Sequence, residues 1–310
     1  MVMIRKFKCQ GAAIASFACR LGCAMAASAL LAGCAPQTLL LRGVADQLSA
    51  QGSAAEDDLG LAREASAFYL KLSESVLIQT PGHLALAAAV AGGYTQYAYA
   101  FVEFEAERIE PQDAKAARLM RERAARLYAR ANRHAMAALE QQSPGLRRAL
   151  AAPGNPTPSL ALRLPADQVA VAYWAAASWG AHIALSKDQP DAVADLPQAI
   201  RLAAMAWACD PDFGDGALAT LMGQFELARP GGSRQQALAY FEQAVAAGGG
   251  RNAGPYVAQA EALALPAGDR PAFEGLLRSA LQIAATNRSL ANEVMRVRAQ
   301  WLLDTADDRF

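Results

Sequence analysis

The stretch LATLMGQFELARPGGSRQQALAYFEQAVAA, residues 218–247, decides the fold. Its first half places Leu218, Leu221 and Phe225 at steps of three and four, and its second half places Ala237, Phe241 and Ala244 at steps of four and three. Such steps align side chains along one face of a helix. Between the halves, Ala228-Arg229-Pro230-Gly231-Gly232 removes a backbone donor and supplies two residues without a Cβ, so the chain turns there. Two amphipathic helices joined by a short turn lie antiparallel. Small residues on either side of a buried ring are the means by which tetratricopeptide hairpins interlock, although this turn is about three residues longer than that repeat's consensus.

The same pattern extends toward the N-terminus. Ala199, Ala203, Ala206 and Pro211 follow Trp174 and Ala181 in the preceding unit, and Ala124, Tyr128 and Ala131 recur with the helix from His83 as partner. The intervals drift, and a plain Ala-rich bundle is the competing reading. The expected fold class is all-α, a tetratricopeptide-like helical-hairpin array. Strand-like alternation is confined to Leu160–Leu164. Helices are expected over 56–79, over 83–107, and from Glu110-Pro111-Gln112-Asp113 to Gln142. The third carries Arg118, Arg121, Arg123, Arg126, Arg130 and Arg133, which reads as a solvated outer face. From Ala166 onward, helices of roughly 15–22 residues alternate with turns near 187–190, 210–213, 229–233, 248–253, 266–269 and 286–288. Ser143 to Pro165 holds five prolines and two glycines and reads as a long connection between halves 56–142 and 166–310 of one domain.

The N-terminus says where the domain works. Arg5, Lys6, Lys8 and Arg20 precede an apolar run from Leu21 to Ala32, with no acidic residue before Cys34. A basic region, a short apolar region and small residues at a cut site make a secretory signal. Leu31-Ala32-Gly33-Cys34 adds a lipidation site, so residues 1–33 are expected to leave and Cys34 to carry acyl chains that hold the protein on a membrane. Residues 34–55 then form a lipidated tether with at most one short helix. Periplasmic residence follows, and Ala35, with no Asp at that place, favours the outer membrane over the inner. The exported chain has 25 basic and 29 acidic side chains, a balance that excludes a nucleic-acid partner. Cys9, Cys19 and Cys23 leave with the signal, so no intramolecular disulfide is available to Cys209, which reads as a small buried side chain.

No reaction chemistry stands out. His83, His134 and His182 form no ligand pair, so neither a metal nor a cofactor is expected. Nucleophile elbows, phosphate loops and dinucleotide fingerprints lack their strand–turn–helix setting. Gly248-Gly249-Gly250 reads as a helix C-terminus and turn, and Asp57-Asp58 and Asp307-Asp308 as solvated charge. The protein is expected not to be an enzyme; a hydrolase on an all-α frame would need a nucleophile–base pair that the sequence does not offer. Aromatic residues concentrate instead. Tyr94, Tyr97, Phe101 and Phe104 fall on one stripe beside Tyr99, just after Gly92-Gly93, which lets a neighbour approach the backbone. Tyr173, Trp174 and Trp179 open the second half. Such stripes build helix–helix cores or line a cavity, and Tyr94, Tyr97, Phe101, Trp174 and Trp179 are the candidates for a cavity wall.

Three segments together resemble a family. Tyr97-Ala98-Tyr99-Ala100-Phe101-Val102-Glu103 before an Arg- and Ala-rich helix ending at 135–139, Tyr240-Phe241 before Gly248-Gly249, and the ending Ala291-Asn292-Glu293-Val294-Met295-Arg296-Val297-Arg298-Ala299-Gln300-Trp301-Leu302-Leu303 are similar to TRAP transporter T-component (TatT) lipoproteins. The likeness spans roughly 56–310; the Pro-rich 143–165 segment departs from it. The resemblance implies a periplasmic, membrane-tethered helical protein that associates as a homotrimer and encloses an apolar channel in each protomer. It also implies a partner, the solute-binding P-component of a tripartite ATP-independent transporter, and a ligand that is a small hydrophobic molecule or an organic acid. The alternative role is a scaffold lipoprotein in envelope assembly, with no transporter partner.

Overall fold

A computed structural model describes residues 35–51, 58–152 and 164–310. Among these, all regular structure is helical: α1 (Ala35–Gln51), α2 (Leu59–Gln79), α3 (Leu84–Ala98), a π-helical turn (Tyr99–Glu103), α4 (Phe104–Ile109), α5 (Ala114–Gln142) and α6 (Leu146–Ala151). The second half has α7 (Val169–Ala184), α8 (Pro190–Ala194), α9 (Leu196–Cys209), α10 (Ala217–Ala228), α11 (Arg234–Ala247), α12 (Gly254–Gln259), a second π-helical turn (Ala260–Ala264), α13 (Arg270–Thr286) and α14 (Leu290–Asp304). The expected all-α class holds for the described residues. Of the strand candidate only Leu164 is described, and Cys34 lies outside the described residues.

Local chemistry sets the boundaries. Asp58, His83, Asp113, Ser233, Asp269 and Ser289 each cap a helix by accepting a backbone N–H from its first turn. Each such cap is worth about 1 kcal/mol. The third long helix therefore starts at Ala114, after the Asp113 cap, and not at Glu110. Pro190, Pro197, Pro255 and Pro271 sit in first turns, where the missing N–H costs nothing. Pro197 also explains why the helix expected after Lys187 is broken at Asp195 into α8 and α9.

Most repeat positions read from the sequence are buried: Leu218, Leu221 and Phe225 on α10, Ala237, Phe241 and Ala244 on α11, Ala199, Ala203 and Ala206 on α9, and Ala124, Tyr128 and Ala131 on α5, whereas Trp174 and Ala181 are half-buried and Pro211 is exposed. Burying a ring such as Phe241 contributes about 2–3 kcal/mol. Gly223 lies against that ring, and Gly232 has no room for a Cβ, which would fall 1.7 Å from the Glu226 carbonyl oxygen. α5 does present Arg118, Arg123, Arg126 and Arg133 to solvent, as expected. Its opposite face is the centre of the fold, packed chiefly on α7 and α3 through Ala117, Ala125, Ala135, Met136 and Leu139.

Two sequence readings change. The segment read as a tether is a helix, α1, over most of its length. It buries Ala45 and Leu48, Tyr69 donates to the Leu48 carbonyl, and His83 meets Asp46. Cys209 is exposed, not buried: it is the last residue of α9, and the chain turns away there through Asp210.

The helix order does not run out into an open end. α14 packs on α13 and α12 and also reaches α2, so the last helix returns to the first half. Phe104 of α4 meets Trp301 of α14 edge-on, with ring centroids 5.4 Å apart.

Candidate functional site

The aromatic segment of α3 begins with a close approach. A Cβ on Gly92 would lie 2.6 Å from the Trp174 ring, and one on Gly93 would lie 2.5 Å from Leu70. Only hydrogen at these positions lets α7 and α2 seat so near the α3 backbone. Beyond them the π-helical turn at Tyr99–Glu103 inserts an extra residue and rotates everything that follows. The stripe read as continuous is therefore split. Tyr97 and Phe101 stay together, ring centroids 5.5 Å apart, while Phe104 turns to α14.

That rotation builds a buried polar centre around Arg298. Its Nε and Nη2 donate to both oxygens of Glu261, at 3.0 and 2.7 Å, and Nη2 also donates to Glu107 at 3.0 Å. The guanidinium carbon lies 5.4 Å from the Tyr99 ring centre and 5.1 Å from that of Phe104. Beside it, Tyr128 donates to Glu103. Glu103 and Tyr99 lie in the first π-helical turn and Glu261 in the second. π-helical turns concentrate at functional positions. Burial pushes the carboxyls of Glu103 and Glu107 above the ordinary carboxylate range, against the pull of the Tyr128 hydroxyl on the first and of Arg298 on the second. Arg298 itself is held protonated, because the surrounding carboxylates outweigh its desolvation. The cluster joins residues 99–109 to residues 261 and 298, and so links the two halves of the chain.

A second centre surrounds Glu74, which is 3 % exposed. It accepts from Arg130 Nε at 2.5 Å, Lys71 at 2.6 Å, Tyr94 at 3.1 Å and pairs with His134 at 2.7 Å; Arg130 Nη2 donates as well. Burial alone would raise its pKa, but the donors Arg130, Lys71 and His134 win and hold it far below the carboxylate range. The Tyr94 phenol, buried and facing that negative charge, is pushed up to about 12.

The candidate wall residues fall into two sets. Tyr94 is fully packed, with its hydroxyl on Glu74. Tyr97, Trp174 and Trp179 keep accessible surface and lie against one shared core, and Phe101 sits beside Tyr97. Tyr173 lies between Trp174, edge-on at 4.7 Å, and Phe213, tilted at 5.3 Å between ring centroids. Its phenol is pushed up to about 12 by burial alone, although the side chain retains accessible surface.

Arg298, Glu261, Glu107 and Glu74 did not emerge from the sequence as site residues, yet a signal was present. Arg298 stands at four-residue steps between Val294 and Leu302, and Glu74 lies among Leu70, Ser73 and Leu77. A charge in a buried row needs a partner. Among the described residues no cluster of His, Cys, Asp or Glu could hold a metal ion. None of the described helices is long and apolar enough to cross a membrane.

Comparison with known proteins agrees with this architecture in extent. The family described as TRAP transporter T-component matches residues 55–310. An uncharacterised protein of Treponema pallidum (strain Nichols) is 30% identical over 266 residues, covering 82% of this chain and 81% of its own. The match begins where the first hairpin begins and ends at the last residue, taking in both polar centres and the aromatic segment. This chain belongs to the TRAP transporter T-component family.

Proposed function

We propose that the protein is a lipid-anchored periplasmic accessory component of a TRAP-type uptake system. It engages the solute-binding P-component and holds a small hydrophobic molecule or organic acid before transfer. Family membership over 55–310 carries this reading. The Leu31–Cys34 motif supports removal of residues 1–33, lipid on Cys34 and, with Ala35, outer-membrane retention. Residues 56–310 act as one domain of tetratricopeptide-like hairpins, closed by α14. In this reading Tyr97, Phe101, Trp174 and Trp179 form the apolar wall of the ligand space, and Tyr94 stiffens it from behind through Glu74. Exposed Leu61, Phe68 and Ile78 on α2 suit self-association into the homotrimer, since side chains this large and apolar are costly to leave in water. The role is binding and delivery, not catalysis.

Gentle detergent extraction and co-purification with a periplasmic solute-binding protein from the same cells is the direct test. A stable complex is expected; its absence, with envelope-assembly proteins captured instead, favours the scaffold role. Native mass spectrometry of the intact protein should show a bound apolar mass, and a ligand-free spectrum removes the ligand part of the reading. Cys34→Ser should move the protein from the membrane to the soluble fraction.

A further inference from the structure

The outward face of α5 carries more positive charge than the fold uses. Leu119, Arg123, Arg126, Arg130 and Arg133 recur at steps of four, three, four and three, so they share one face. Leu119 is 55% exposed there. Arg118 pairs with Glu122, Arg121 with Glu110 and Arg130 with Glu74. Arg123, Arg126 and Arg133 meet no carboxylate within ion-pairing distance among the described residues. The four arginines surround a depression of about 370 Å³ floored by Leu127 and Ala129. Arg130 is held from below by Glu74 and by the Tyr94 ring, 5.1 Å from its guanidinium carbon, so one wall of the depression is rigid.

Three features separate this face from ordinary solvated charge. The exported chain is mildly acidic overall, so an unpaired run of cations is a local excess. The cations lining the depression are all arginine, whose planar fork grips carboxylates through paired hydrogen bonds where lysine offers a point charge. They also frame an apolar floor and stand next to exposed Leu119, and arginine beside apolar surface is the composition of protein interfaces.

We propose that this arginine face of α5 is the docking surface for an acidic patch on the solute-binding partner, whose Asp and Glu side chains enter between the guanidinium groups. The inference rests on the TRAP reading above and adds the surface and the chemistry of recognition. Charge of this kind steers encounter, so it acts mainly on the association rate and weakens with salt.

The test measures binding of the detergent-solubilised full chain to the purified solute-binding protein by biolayer interferometry at low and high salt. The triple variant Arg123→Glu, Arg126→Glu, Arg133→Glu is compared with Lys187→Glu, an exposed charge elsewhere. Circular dichroism checks that each variant is folded; these side chains are exposed, so folding should be intact. The expected result is an affinity loss of at least about tenfold, mostly in association rate, for the triple variant alone. Triple Arg→Lys should fall between it and the wild type, and the wild-type rate should drop as salt rises. Wild-type-like binding by the triple reversal, or binding indifferent to salt, overturns the proposal. Binding to phosphatidylglycerol vesicles that the reversal abolishes, with protein binding intact, overturns it in favour of a lipid surface. A wild type that binds no solute-binding protein at all sinks the TRAP reading itself, and the docking surface with it.

Discussion

Glu74 is buried and Glu103 half-buried, and they respond to pH in opposite senses. Glu74 has a folded pKa far below its usual 4.5, set by Arg130, Lys71 and His134 against its burial. Its contribution is present above the ordinary carboxylate range and is lost as pH falls through it and below. Glu74→Gln should therefore cost about 2–4 kcal/mol in urea unfolding at neutral pH, with the gap closing in acid. Glu103 has a raised folded pKa, because burial outweighs the Tyr128 hydroxyl. Protonation favours its folded form, so the penalty exists at neutral pH and fades as pH drops. Glu103→Gln keeps an acceptor for Tyr128, and a gain of about 1 kcal/mol is expected at neutral pH, with none in acid. Gly92 makes the third residue-scale case. Gly92→Ala drives a methyl into the Trp174 ring and should destabilise by about 1–3 kcal/mol, read by the same denaturation.

Among the elements, α14 and the first π-helical turn depend on each other. Arg298 binds Glu261 and Glu107 and lies against the Tyr99 and Phe104 rings, so it fastens α14 to α4 across the chain. Arg298→Met leaves two half-buried carboxylates without their cation. A loss of about 3–5 kcal/mol is expected, with faster hydrogen exchange in α14 and in residues 99–109 before the rest of the molecule. Unchanged exchange in those two segments would show that apolar contacts alone seat α14. Much of the element scale was legible beforehand. The turns near 187–190, 229–233, 248–253 and 266–269 occur where Gly, Pro and capping residues stand. The π-helical turn was not legible. Tyr97, Phe101 and Phe104 keep helical spacing in the sequence, and only contacts from α5 and α14 separate Phe104 from the other two.

At the scale of the whole molecule, α14 returns to α2, and its Trp301 meets Phe104 of α4, so the end of the chain packs back on its first half. Truncation after Arg288 removes α14, uncovering Phe104 and depriving Arg270 of Asp307. Small-angle scattering should then report a larger radius of gyration, and limited proteolysis should first cut α12 and α13. Helix content, the turns and many of the buried positions could be read directly from spacing, because periodicity and capping are local properties of the chain. Cys209 marks the edge of that reading: its neighbours 202, 203 and 206 are buried, but exposure at a helix end depends on what lies over it. The tether read at 34–55 marks it again, since α1 becomes helix by packing Ala45 and Leu48 against distant residues. Amino-acid order specified an all-α chain of helices joined by short turns, through steps of three and four that each helix reads by itself. Where the ends meet, which charges are buried together, and which aromatics keep a face to water were decided by three-dimensional packing. Those properties join residues up to 191 positions apart, as Glu107 and Arg298 are, and no local spacing encodes them.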